Sequence, residues 1–70
     1  MDNPKRFAKL RGRITEKVGS QIELCRRLGW YHDKLSRKLS GRTGWTSRDV
    51  VAICQVLDIP IAEAGLYFFE

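Results

Sequence analysis

Between His32 and Lys38 the sequence sets His32, Asp33, Lys34, Arg37 and Lys38 around Leu35 and Ser36: five side chains that donate or accept hydrogen bonds, three of them cationic. Their chemistry is recognition of an anionic, hydrogen-bonding surface. An arginine fork matches guanine O6 and N7 together, a carboxylate accepts from cytosine N4, an imidazole can do either, and lysines meet phosphates. The same chain is poorly equipped for catalysis. It has one histidine, no paired carboxylates in a prospective cleft and no glycine-rich phosphate loop, so nothing activates a nucleophile and no enzyme or small-molecule substrate is expected. Cys25 and Cys54 lack CxxC spacing and fall at helical apolar positions, which suits reduced, buried thiols. With a single histidine the ligands for a metal are too few, and no cofactor is expected.

To act together, these side chains must project from one helix. Leu35 and Leu39 are four apart, so they share a face and leave His32, Asp33, Lys34, Arg37 and Lys38 outward. The spacing predicts a helix from Tyr31 or His32 to Leu39 or Ser40, stopped at Gly41. Upstream, Leu24, Cys25 and Leu28 give a preceding helix its apolar stripe. Gly29 ends it in a tight turn anchored by Trp30. Ser20 with Glu23 three residues on is a capping-box signature for its start.

The remaining elements frame this pair. Phe7, Leu10, Ile14 and Val18 form the stripe of a first helix closed by Gly19. Pro4 after Asn3 permits a start there. Gly12 weakens the middle and permits one nearer Leu10, which would leave Lys5, Arg6 and Lys9 as a basic arm. Thr46 caps a fourth helix with Asp49 near its positive end and Val50, Ile53, Cys54 and Leu57 buried, broken at Ile59 and Pro60. A short helix from Ile61 to Ala64 and Gly65 precede the aromatic run Leu66 to Phe69. The expectation is one all-α, compact five-helix domain over residues 1–70 with a helix-turn-helix.

Charge is lopsided. Residues 1–48 carry thirteen basic and four acidic side chains, a balance of +9, and residues 49–70 carry four acidic and no basic ones. One end is suited to anions, which fits nucleic acid. No apolar run approaches the roughly 18 residues that span a bilayer, and the N-terminus lacks the apolar core of a signal peptide, so a cytoplasmic protein without a membrane partner is expected.

The segment Ser20 to Arg42, SQIELCRRLGWYHDKLSRKLSGR, resembles the helix-turn-helix of the lambda repressor and Cro superfamily, closest to small phage-type regulators. Gln21 takes the place of the family's glutamine, Cys25 of its small residue, Leu28 and Gly29 of its turn, Leu35 and Ser36 of its recognition-helix pair, and Gly41 of its closing glycine. The resemblance implies a sequence-specific transcriptional regulator, a repressor that inserts its third helix into the major groove of a double-stranded operator. Gln21 would touch the backbone, with His32, Asp33 and Arg37 at base edges. Tyr31, Lys34, Lys38, Ser40 and Arg42 would meet phosphate or sugar.

Two departures stand out. Tyr31 replaces the small hydroxyl residue that usually begins the recognition helix, and Asp33 puts an anion at the tip of that helix. Asp33 can accept from cytosine, favour the helix end or face a protein. Tyr67, Phe68 and Phe69 exceed what one helix face buries, so a homodimer or partner contact is expected of them, with folding back onto the core as the alternative. These features also motivate a second reading, a modulator or antirepressor that keeps the fold and acts on a partner repressor protein.

Overall fold

The computed structural model describes residues 6–69, which form five α-helices: α1 (Ala8–Val18), α2 (Gln21–Leu28), α3 (His32–Leu39), α4 (Ser47–Leu57) and α5 (Ala64–Phe68), the last entered through a 3-10 turn at Ile61–Glu63. No strand occurs among the described residues, and no single helix is long and apolar enough to cross a membrane. The all-α, five-helix expectation holds. The apolar stripes converge on one core in which Leu10, Ile14, Leu24, Leu35, Leu39, Ile53 and Leu57 are fully enclosed. Cys25 and Cys54 lie in it as free thiols, and burial pushes both thiols up, away from the reactive thiolate.

The helix ends follow local chemistry. Gly19, at φ 93, turns the chain out of α1 while its N–H bonds the Ile14 and Thr15 carbonyls. Ser20 Oγ then accepts from Glu23 N at 3.1 Å to open α2. The reciprocal arm of the expected box is not made there. The Glu23 carboxylate turns instead to Arg26 and Arg27, at 2.8 and 2.9 Å, because two guanidiniums on its own helix outbid one backbone amide. A complete box forms at α4, where Thr46 Oγ1 accepts from Asp49 N and Asp49 Oδ2 accepts from Thr46 N, both at 3.1 Å. At the other end of α4, Arg13 donates to the Leu57 and Asp58 carbonyls and caps that helix from α1.

Three expectations need correction. α1 begins at Ala8, between the two starts considered; Pro4 and Lys5 lie outside the described residues. Lys9 is therefore helical rather than part of an arm, and the Arg6 guanidinium lies so close to Gly41 that a Cβ there would come within 2.8 Å of it. Lys38 does not point outward. Leu35, Lys38 and Leu39 form an i, i+3, i+4 inward stripe, and the Lys38 ammonium lies 2.7 Å from Asp49 and donates to the Gly44 carbonyl at 2.9 Å. Finally, the helix does not stop at Gly65 but runs through it to Phe68. That continuation carries Phe68 into the core, edge-on to Trp45 at 5.0 Å, and Trp45 in turn meets Phe7 at 5.5 Å. Phe68, expected as a dimer or partner contact, is core; Tyr67 is half-buried against the same cluster and Phe69 alone of the three is exposed.

Two predictions follow from these bonds. Lys38→Met leaves the Asp49 carboxylate enclosed without its cation, and should cost about 3–5 kcal/mol in urea unfolding, as breaking buried pairs generally does. The double variant Lys38→Met/Asp49→Leu should recover a large part of that loss. The second concerns acid. Burial raises the Asp49 carboxyl, but bonds from Lys38 and Thr46 outweigh it and hold it below its ordinary value of 3.8; bonds from Arg26 and Arg27 bring Glu23 down from 4.5 to about 2. A depressed carboxyl binds its proton more readily in the unfolded chain, so the stability it confers is complete above the unfolded value and is lost on acidification. Unfolding midpoints should therefore fall as pH drops below about 4.5 toward 2, and Glu23→Gln should flatten part of that slope.

Candidate recognition surface

α2 and α3 meet through a turn in which Gly29 adopts φ 74 and both it and Trp30 donate to the Cys25 carbonyl. Glycine is needed here for the left-handed backbone. Gln21 is the first residue of α2 and is half-buried. Tyr31 takes the N-cap position of α3 with extended backbone (φ −72, ψ 145) and no side-chain cap bond, so the departure from a small hydroxyl leaves the cap unmade. Its ring is free of that duty. At 88% exposure it is the most exposed of the large apolar or aromatic side chains described.

Beyond it, α3 presents His32, Asp33, Lys34 and Arg37 to solvent. They are not independent of one another. Asp33 Oδ2 holds Arg37 Nη2 at 2.6 Å across one helical turn, and the Lys34 ammonium sits 4.3 Å from the centroid of the Trp30 ring. Ser40 forms the C-cap, half-buried, its Oγ donating to the Arg37 carbonyl at 3.1 Å. Arg42 is exposed just past the helix, with its backbone N–H on the same carbonyl at 2.9 Å. Tyr31, Asp33, Lys34 and Arg37 line one shallow groove with Lys38 and Thr43; Gln21, His32, Ser40 and Arg42 lie outside it.

Thr43 was not singled out in the sequence, because a loop residue has no periodicity to mark it. Lys38 enters the lining from beneath, only 7% exposed and committed to Asp49 and Gly44, so the phosphate contact expected of it is not available. Of the five cations between Gln21 and Leu39, four are ion-paired: Arg26 and Arg27 with Glu23, Arg37 with Asp33 and Lys38 with Asp49. The surface is thus polar and hydrogen-bonding, its five cations mostly engaged by three carboxylates that leave a balance of +2, with an unpacked tyrosine at its rim. It can supply paired donors and acceptors to a partner, and it offers few uncommitted positive charges.

No curated protein matches the chain. Among solved structures, the fold is similar to the solution structure of the modulator of repression of the temperate bacteriophage TP901-1 from Lactococcus lactis, with a TM-score of 0.82 at 28% identity over 91% of this chain and 86% of that one. The family model described as "Protein of unknown function (DUF739)" matches residues 5–70, so the chain belongs to that family.

Proposed function

We propose that this protein is a small phage-type regulator that modulates repression by binding a partner repressor protein through the α2–α3 face. The observation that carries this reading is the Asp33–Arg37 pair at 2.6 Å, formed on a face from which Lys38 has been withdrawn. A helix entering a DNA groove needs cations aimed at phosphate, and an acid at its tip faces the same phosphates unfavourably. A protein partner can use the acid and the arginine together, and exposed Tyr31 is the kind of side chain that anchors protein interfaces. The similarity to a phage modulator of repression supports the same choice.

Operator reading is the second possibility, and one observation favours it. The α2–turn–α3 arrangement places Gln21 and exposed His32 at the starts of successive helices, as in proteins that dock α3 in the major groove. In that reading the protein is a transcriptional regulator acting by occupancy of its operator.

The two are separated by testing the full chain against the repressor encoded beside its gene and against duplex DNA from its own upstream region. Partner binding predicts a stable complex on size exclusion, with Tyr31→Ala and Arg37→Ala each weakening it by about tenfold or more, the scale of an interface anchor. DNA binding by the same protein should be weak and sequence-independent, and Asp33→Asn should strengthen it and steepen its salt dependence by about one phosphate contact. Sequence-specific binding to the upstream duplex, abolished by Arg37→Ala and unaccompanied by any repressor complex, would overturn the proposal in favour of the operator.

A further inference from the structure

The segment Ile61–Phe68 carries a second apolar surface, on the side opposite its core contacts. Ala64 and Phe68 point inward, at 8% and 2% exposure, while Ile61, Leu66 and Phe69 are 60%, 59% and 73% exposed. Ile61, Ala62, Gly65, Leu66 and Phe69 are all exposed: Ile61 and Ala62 lie in the 3-10 turn, Gly65 and Leu66 in α5, and Phe69 at its extended C-cap. The centre of that face is thin. Gly65 has no side chain, and a Cβ built on it would reach only the Phe69 ring, at 3.8 Å, so another backbone can approach closely there.

The charges beside this stripe identify its occupant. Along one flank, one turn apart, lie Glu63 and Tyr67, and the Lys9 ammonium from α1 sits 5.4 Å from the centroid of the Tyr67 ring. The flank is therefore bipolar, acidic where the segment begins and basic where it ends. When two such segments pack antiparallel about a two-fold axis, each flank meets itself reversed: Glu63 of one copy faces Lys9 of the other, twice per interface. We infer that the Ile61–Phe69 face is the contact surface for a second copy of this chain, packed antiparallel across Gly65 and Leu66. The inference is independent of what the α2–α3 face binds, because that face lies on other helices.

Sedimentation velocity on the full chain, across micromolar to millimolar concentration, tests it without reference to regulation. The expected result is a mass rising from 8.1 kDa toward twice that value. Leu66→Glu should raise the dissociation constant at least tenfold with unchanged helical circular dichroism, since Leu66 lies outside the core. Lys9→Glu and Glu63→Lys should each weaken the dimer roughly threefold or more, and the double variant should restore it. A mass of 8.1 kDa at every concentration, a dimer indifferent to Leu66→Glu, or charge variants whose double does not recover would overturn it. So would a monomeric chain in which Leu66→Glu abolishes only a complex with the neighbouring repressor, which would assign the face to that partner instead.

Discussion

The arrangement of this protein turns on one enclosed ion pair. Lys38 on α3 and Asp49 in the first turn of α4 lie 2.7 Å apart, each side chain only 9% exposed. Two charges in such a place need hydrogen bonds beyond their own contact. Each gains a further bond: the ammonium also donates to the Gly44 carbonyl, and the carboxylate accepts from the Thr46 N–H within the capping box. One side chain thus ties α3, the loop after it and the start of α4 into a single unit. The orientation of α3, and with it the outward set His32, Asp33, Lys34 and Arg37, depends on that tie. Leu35 and Leu39 alone would leave α3 free to roll, because burial is non-directional whereas an ion pair with two further bonds is not.

A 70-residue chain has little core from which to build rigidity, and this one supplements it with its cations. Arg13 caps α4 and pairs with Glu16 at 3.0 Å, Arg11 donates to the Leu39 carbonyl at 3.1 Å, and Arg26 and Arg27 converge on Glu23. The Phe7–Trp45–Phe68 cluster does the same with aromatic edges, joining the approach to α1, the loop before α4 and α5. The Trp45 indole N–H is enclosed within it without an acceptor among the described residues, which costs about 1–3 kcal/mol against the area its ring removes from water. A balance of +9 over residues 1–48 thus overstates the charge offered to a ligand, since much of it closes on carbonyls and carboxylates of the same molecule.

The helices were legible in the sequence because glycine and apolar spacing act locally: Gly19, Gly29 and the Leu35–Leu39 pair set the α2–turn–α3 frame whatever surrounds them. What escaped depends on competition between groups distant in the chain. Glu23 could bond its own cap or two arginines, and the arginines prevail. Gly65 is a poor helix former worth about 1 kcal/mol, less than enclosing a phenylalanine returns, so the helix runs on through it to Phe68. Lys38 reads as a surface cation by type, yet its register with Leu35 and Leu39 is that of a core position, and only the presence of Asp49 beneath makes the position habitable. Of the outward set, the residues were legible and their mutual neutralisation was legible only in part: Asp33 and Arg37 stand at i, i+4, a spacing that announces a pair.

That pair decides how the α3 face can be used. Opening an exposed i, i+4 bridge costs little, about 0.3–0.5 kcal/mol, so Arg37 itself is readily released to a ligand. The asymmetry lies in what is left behind. Against phosphates, the freed Asp33 carboxylate meets a field of its own sign, and the repulsion grows as the groove excludes water. Against a protein surface, the same carboxylate finds a donor as easily as the arginine finds an acceptor, and both ends of the opened bridge are satisfied together. The small energy of the bridge therefore matters less than its sign pattern, which rewards a ligand of mixed charge over a uniformly anionic one.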